Sequence, residues 1–284
     1  MVGPVAALLE GGARLHLQHG PIDLIIGADG DRNRAFRAAF ARFETVLEEL
    51  VTELPLLRSA DATPARWRIA QVMQRAVAPH QGFVTPMAAV AGAVAEAVLT
   101  AMVAGAQVSR AYVNNGGDIA LHLRGDAQFS VAMAGLAGDG LGRIRIGAAD
   151  PVRGIATSGR GGRSLSLGIA DSVTVLAPTA AMADVAATLI ANAVDLPGHP
   201  GITRTPACDL QPDSDLGQRL VVTNVAPLGA AEARRALDCG AAAGEVMVQD
   251  GLIVGAGLFL QGQSTTCGAT HPLMTQSRKS LEDA

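Results

Sequence analysis

A short Asn-Asn-Gly-Gly-Asp segment combines polar side chains with two residues that lack side chains. Bare backbone at Gly116 and Gly117 would let a ligand approach closely. Hydrogen bonds to that ligand could come from Asn114, Asn115 and Asp118. The same residue types are typical of a tight hairpin turn, because Gly and Asn tolerate positive φ. The segment therefore predicts a turn, with ligand binding as the functional alternative.

A second polar segment, residues 154–166, is rich in glycine, hydroxyl and arginine residues. Backbone N–H groups and guanidinium groups in such a stretch can bind phosphate oxygens. Its candidate ligand-binding residues are Thr157, Ser158, Gly159, Arg160 and Arg163. The glycine order matches neither a Walker A loop nor a dinucleotide fingerprint, so a flexible loop is the alternative.

A third segment carries Asp184 and Thr188, which lie four residues apart in an alanine-rich stretch that predicts a helix. Residues at i and i+4 share one helical face. A carboxylate and a hydroxyl on one face suit a hard cation such as Mg²⁺. An acid near a helix start also stabilises the helix dipole, so helix stabilisation alone is the alternative.

The elements that would position these segments follow from hydrophobic periodicity and turn residues. Helices are predicted from residue 31 to before 55 and over 64–76, 86–104, 180–193 and 229–243. Strands are predicted over 13–19, 22–27, 109–113, 118–123, 128–132, 143–146, 154–157, 171–177, 219–224, 245–249 and 252–260, with 196–218 as a connector. Hairpins outnumber crossovers, so the predicted fold is α+β, with antiparallel sheets covered on one face by helices. A two-half organisation is left open. Residues 1–262 are predicted to form one domain and 263–284 a polar tail.

Composition narrows the classes of function. Apolar residues make up 49% of the 284 residues and the net charge is −4, which supports a large core and argues against general binding to nucleic acid or anionic membranes. Lys279, in the polar tail, is the single lysine. Walker A and lysine Schiff-base chemistries therefore lack their residue.

Cellular context is predicted from cysteines and apolar runs. Three cysteines without a C-x-x-C spacing indicate a reducing compartment, and the first ten residues lack the pattern of a signal peptide. The most apolar stretch, residues 86–108, is interrupted by Gly92, Glu96, Gly105 and Gln107, which favours a buried helix over a membrane span. We therefore expect a cytoplasmic protein with no membrane partner.

Taken in order, the three segments resemble the ApbE superfamily of FAD:protein FMN transferases and their relatives. The family motif N-x-G-G-D-I corresponds to residues 114–119, an S-G motif to 156–159, an S-V-T-V-type strand to 172–175 and A-D-x-x-A-T to 183–188. The transferases carry an H-x-x-D-P-x-T-G segment after the S-G motif. Residues 160–170 contain no His and no Pro, so the chain resembles the shorter, uncharacterised stand-alone branch of the superfamily.

The resemblance implies a T-fold-like architecture, bound FAD and Mg²⁺. Carried over to this sequence, it places the cation at Asp184 and Thr188. It also places the flavin nucleotide at the Asn114–Asp118 segment and the substrate near Thr157 and Ser158. Asp184 and Ser158 are then the candidate catalytic residues.

Three functions follow from this resemblance. The first is a Mg²⁺-dependent FMN transferase or FAD pyrophosphatase. The second is a different enzyme on the same scaffold, acting on a pterin or another anionic heterocycle held by Arg160, Arg163 and Ser164. The third is a non-catalytic flavin- or nucleotide-binding protein or oligomerising scaffold, because T-folds often assemble as homo-oligomers.

Overall fold

A nine-stranded antiparallel sheet is the centre of the protein. The computed structural model describes residues 3–61, 63–134, 140–162, 164–269 and 274–275. The strands of the described residues, in the main sheet and outside it, are β1 Val5–Leu9, β2 Arg14–His19, β3 Ile22–Gly30, β4 Val108–Asn115, β5 Asp118–Leu123, β6 Gln128–Ala134, β7 Gly140–Gly147, β8 Gly154–Ser158, β9 Ser172–Ala177, β10 Ile202–Pro206, β11 Leu220–Val225, β12 Gly255–Leu260, β13 Gln263–Gly268 and β14 Met274–Thr275. The order in the main sheet is β1-β2-β3-β4-β5-β8-β9-β12-β13. The predicted α+β class with antiparallel sheets is confirmed.

Helices cover one face of this sheet. They are α1 Arg32–Thr52, α2 Leu54–Leu57, α3 Arg68–Val77, α4 Val90–Gly105, α5 Ala180–Ala193, α6 Ala207–Leu210 and α7 Ala230–Gln249. One apolar cluster joins α1, α3 and α4 to strands β2–β4, and a second joins α5 and α7 to β8, β9 and β12. The helix-covered core therefore divides into two parts that correspond to the earlier and later halves of the main sheet.

The opposite face of the sheet is covered in part by β6 and β7. Ile144 and Ile146 of β7 pack against Leu121 of β5 and Ile155 of β8, and all four are buried. Alternate residues of β5 and β8 therefore face two different apolar layers, as the period of a strand requires. The residues of β5 and β8 that alternate with Leu121 and Ile155 face the helices.

Helices α4 and α5 approach each other closely at their first turns. A Cβ atom at Gly92 would lie 2.3 Å from the carbonyl oxygen of Ala180, and one at Gly154 of β8 would lie 2.1 Å from that of Thr179. Glycine is thus required at both positions, since no side chain fits against the start of α5. Thr179 caps α5 by accepting a hydrogen bond from the Met182 amide at 3.3 Å.

Two predictions about the later part of the chain are wrong. The predicted strand 245–249 is the end of α7, because Val246, Met247 and Val248 form an apolar run that suits either structure. In the helix it is Met247 that is buried. The predicted connector 196–218 contains β10 and α6.

The predicted tail begins too early. Residues Gln263–Gly268 form β13, which pairs antiparallel with β12 and buries Cys267 at the edge of the main sheet. The polar Gln263, Ser264, Thr265 and Thr266 gave no apolar signal, yet an edge strand needs just one face covered. Of the residues after 269, the structure describes 274–275, so the rest of the predicted tail lies outside the described residues.

One helical stretch, Pro86–Gly105, is long and apolar enough by length and composition to cross a membrane. It packs between α1, β4 and α5 in this fold. Its residues Ala93, Val94, Ala95, Val98 and Met102 are at most 1% exposed. This packing agrees with the expected core helix.

Candidate functional site

A cavity of about 370 Å³ lies where α4, α5 and the β4–β5 hairpin meet. Its polar lining includes Asp118 at the start of β5 and both Asp184 and Thr188 of α5. Three segments that are far apart in sequence therefore contribute to one cleft. The cavity size is at the lower end of the range usual for small-molecule sites.

The β4–β5 turn is built by its two glycines. Gly116 and Gly117 have φ values of +65° and +114°, a region that favours glycine. The Gly117 amide donates a hydrogen bond to Asn114 Oδ1 at 2.8 Å. Asn115 Nδ2 donates to the Ala91 carbonyl at 3.2 Å, which fixes the hairpin against the first turn of α4. Asp118, the residue after the turn, thereby reaches the cavity.

Asp184 and Glu96 cap each other's helices. Asp184 Oδ2, on α5, accepts a hydrogen bond from the Gly92 amide of α4 at 2.9 Å. Glu96 Oε1, on α4, accepts one from the Ala181 amide of α5 at 2.8 Å. Because the first amides of a helix have no partner within the helix, each carboxylate satisfies a group that would otherwise be unpaired. Helix stabilisation by Asp184, the alternative drawn from the sequence, is thus part of the structure.

The electrostatics of Asp184 are unusual. Burial raises the pKa of this carboxyl well above its ordinary value, and the negative charge of Asp118 raises it further. Hydrogen bonds from the amides of Gly92 and Ala91 oppose the rise without cancelling it. A carboxyl that resists ionisation beside a second carboxylate is a place where a cation would be strongly favoured.

The donor set fits a hard divalent cation. Asp118 and Asp184 offer carboxylate oxygens and Thr188 a hydroxyl one turn further along α5, which are the oxygen ligands that Mg²⁺ takes. The described residues contain no group of three or more His, Cys, Asp or Glu side chains arranged around one point. Mg²⁺ commonly binds through one or two carboxylates and completes its shell with water and substrate phosphates. The residues present meet that requirement.

The structure does not bring residues 157–160 to this cavity. Thr157 shares its face of β8 with Ile155, on the side away from the helices, and its Oγ1 lies 2.9 Å from Thr174 Oγ1. Arg160 forms an ion pair with Asp171, at 2.7 Å between Nη2 and Oδ1. Ser158 and Gly159 lie between them and do not line the cavity.

The other predicted residues differ in whether they line the cavity. Asn114, Gly116 and Gly117 shape the hairpin without lining the cavity, and Asn115 is buried and hydrogen-bonded to Ala91. Arg163 lies outside the described residues, and the neighbouring Ser164 does line the cavity. The candidate site therefore contains fewer of the predicted residues than expected: Asp118, Ser164, Asp184 and Thr188 line the cavity, and residues 157–160 do not.

Several residues that line the cavity were not predicted from the sequence. Thr85, 2% exposed, donates a hydrogen bond from Oγ1 to Asp215 Oδ2 although 130 residues separate them. Asp213, Phe83 and Arg58 also line the cavity. Two aspartates flanking a serine at 213–215 were the available signal, but nothing in the sequence places that stretch beside Thr85.

Comparison with known proteins identifies the family. A family model described as AbpE bacteria matches residues 6–266, and the chain belongs to this family. The chain is 37% identical over 160 residues to a UPF0280 protein of Methanopyrus kandleri, which covers 55% of the chain and 60% of that protein. It is 37% identical over 112 residues to a UPF0280 protein of Archaeoglobus fulgidus, covering 39% of the chain and 45% of the relative. The matches thus span about half the length of these relatives.

Among solved structures, the fold is similar to that of a variant of the flavin transferase ApbE from Vibrio cholerae. The TM-score is 0.52 at 13% sequence identity, and the match covers 92% of this chain and 99% of that one. At this identity the likeness shows the shared fold. It confirms the ApbE-like architecture expected from the sequence motifs.

Proposed function

We propose that this chain, as a member of the family described as AbpE bacteria, binds FAD together with Mg²⁺ and breaks its pyrophosphate bond, so that the FMN phosphoryl group passes to the hydroxyl of an acceptor or to water and AMP leaves. The single observation that carries the proposal is that Asp118, Asp184 and Thr188 meet in one cavity. The similar fold of a flavin transferase supports the choice of ligand.

The charges of the cavity explain why a cation is needed. Four aspartates (Asp118, Asp184, Asp213 and Asp215) and one arginine, Arg58, line it in the described part of the chain. A pyrophosphate would be repelled by this excess of negative charge. Mg²⁺ supplies charge neutralisation and polarises phosphoryl oxygens when bound. Asp184 and Thr188 would hold it, with Asp118 as the second carboxylate.

The remaining lining residues have separate tasks. Phe83, Val84 and Leu216 give part of the cavity an apolar wall that suits a heterocycle. Arg58 at the exposed side can pair with an anionic group of the ligand. Within the described residues no histidine lines the cavity, so aspartate carboxylates are the groups available to take a proton from an attacking hydroxyl.

The alternative of another anionic heterocycle relied on Arg160, Arg163 and Ser164. Arg160 is paired with Asp171 and lies outside the cavity lining, Ser164 lines the cavity, and Arg163 lies outside the described residues. A non-catalytic flavin-binding protein differs from the proposed enzyme in one result, which is tight binding of FAD without release of AMP. A homo-oligomer and a cytoplasmic location stay predictions from the sequence.

The proposal is tested by incubating the purified protein with FAD, with and without Mg²⁺, and measuring flavin fluorescence and AMP release. We expect binding that requires Mg²⁺ and weakens by at least about tenfold, or 1.4 kcal/mol, in Asp184→Asn. The matched control is Asp126→Asn, which changes an exposed aspartate in the β5–β6 turn. The proposal would be contradicted if FAD bound equally well with and without Mg²⁺, or if Asp184→Asn bound FAD as tightly as Asp126→Asn.

A further inference from the structure

Residues 207–219, called the cover below, form a compact loop between β10 and β11. The Ala207 amide donates to the Arg219 carbonyl at 2.9 Å, and the Cys208 amide donates to that of Gly217 at the same distance. Shorter turns within the loop add further backbone hydrogen bonds, from Gln211 to Ala207 and from Ser214 to Gln211. The cover is therefore bonded internally and can move as one unit.

The base of the cover is fixed to the body of the protein. Arg204 of β10 donates from Nη1 to the Leu167 carbonyl at 2.6 Å and forms an ion pair with Asp195. The Val222 amide of β11 donates to the Ser166 carbonyl at 2.8 Å. These bonds hold the two strands next to the cover, so any motion would begin beyond them.

The far side of the cover meets the segment that precedes α4. Thr85 Oγ1 donates to Asp215 Oδ2, and the Arg219 guanidinium lies 3.2 Å from the centroid of the Phe83 ring. Both contacts cross the rim of the cavity, since Phe83, Thr85 and Asp215 all line it. We call these two contacts the latch.

We propose that the cover is a hinged wall of the cavity, that the latch holds it closed, and that ligands enter and leave when the latch opens. The cover supplies the cavity wall from Gln211 to Leu216, apart from Pro212. Moving it away would expose Thr85, which is almost fully buried when the cover is closed. A rigid loop fixed at its base and joined to the opposite rim by two contacts has the construction of such a lid.

Limited digestion with trypsin tests the latch without any ligand. The bond after Arg219 joins the cover to β11, and trypsin must take the Arg219 side chain away from Phe83, so cleavage there requires the latch to open. Thr85→Val removes the hydroxyl that bonds Asp215 and keeps the size of the side chain, so we expect cleavage after Arg219 to accelerate about fivefold or more. Thr85→Ser keeps the hydroxyl and should cleave like the wild type. Thr100→Val, on the exposed face of α4, is the matched control.

A second variant keeps the test independent of how Thr85→Val folds. Phe83→Leu removes the stacking partner of Arg219 and should accelerate the same cleavage, while circular dichroism and the melting temperature report on the global fold. The proposal would be overturned if both variants were cleaved after Arg219 at the rate of the wild type.

The ligand arm uses FAD with Mg²⁺ as the probe. If FAD binds, Thr85→Val and Phe83→Leu should release it faster than the wild type. An unchanged dissociation rate of FAD in both variants would refute gating by the cover. Absence of FAD binding in the wild type would refute the proposed function, whereas the trypsin result would still decide on the latch.

Discussion

Replacing Asp184 separates its role as a helix cap from its role as a charge. In Asp184→Asn the side-chain oxygen can still accept the hydrogen bond from Gly92, but the charge beside Asp118 is lost. In Asp184→Ala both are lost. The two variants therefore differ from each other by the cap alone, and Asn differs from the wild type mainly by the charge.

The direction of the pH dependence follows from the raised pKa of Asp184. Between the ordinary pKa of an aspartate and this raised value, the folded protein binds more protons than the unfolded chain. The free energy of unfolding of the wild type must then fall as pH rises through that window. Asp184→Asn has no proton to lose and should lack this component of the slope.

The pH range of the effect begins near the ordinary pKa of an aspartate and extends up to the raised pKa of Asp184. We expect Asp184→Asn to gain stability relative to the wild type as pH rises from 5 to 8, and to exceed it at pH 8 by about 1 kcal/mol or more. For a chain of this length, that corresponds to a rise in melting temperature of about 2 °C. Asp184→Ala should be less stable than Asp184→Asn by about 1 kcal/mol at both pH values, because the Gly92 amide loses its acceptor.

Thermal unfolding followed by circular dichroism at pH 5 and pH 8, with and without Mg²⁺, is the assay. Mg²⁺ should raise the melting temperature of the wild type at pH 8 and leave that of Asp184→Asn unchanged, since binding to the folded state alone stabilises it. If Asp184→Asn is less stable than the wild type at pH 8, or keeps the same dependence on pH, the charge of Asp184 is stabilised rather than penalised and the reasoning is refuted.

Two further predictions concern packing and thiol reactivity. Gly92→Ala places a methyl group against a carbonyl oxygen of α5 and should destabilise the protein by about 1–3 kcal/mol in denaturant unfolding, whereas Gly3→Ala, with nothing within 4 Å, should be neutral. Burial raises the pKa of Cys267 to about 11, so at pH 8 it should react with iodoacetamide far more slowly than the exposed Cys239. Peptide mass spectrometry of the alkylated protein gives both rates, and comparable labelling of the two thiols would contradict the buried position of Cys267 in β13.

Local patterns predicted most of the elements, and the reason is visible in the hairpin and in α5. The two glycines at 116 and 117 require a turn whatever surrounds them, and the helix predicted over 180–193 is observed with the same bounds. Errors occurred where a local pattern suits two structures. The end of α7 and the edge strand β13 were decided by contacts with distant segments, which the sequence does not display.

The candidate site was predictable to a similar extent. Asp118, Asp184 and Thr188 belong to motifs that are recognisable by residue type and spacing. Thr85 and Asp215 become neighbours through the packing of the cover, a contact across 130 residues. Residues 157–160 looked like a ligand loop by composition, yet the alternation of β8 turns Thr157 to the other face and an ion pair engages Arg160.

The crossed caps between Glu96 and Asp184 tie the two parts of the helix-covered core together where the cavity forms. Neither α4 nor α5 can fray at its start without leaving an amide of the other helix unbonded. Hydrogen exchange at Gly92 and Ala181 should therefore report one shared opening event, with both amides gaining and losing protection in parallel. Ligand binding at Asp184 would then change how cooperatively the whole domain opens.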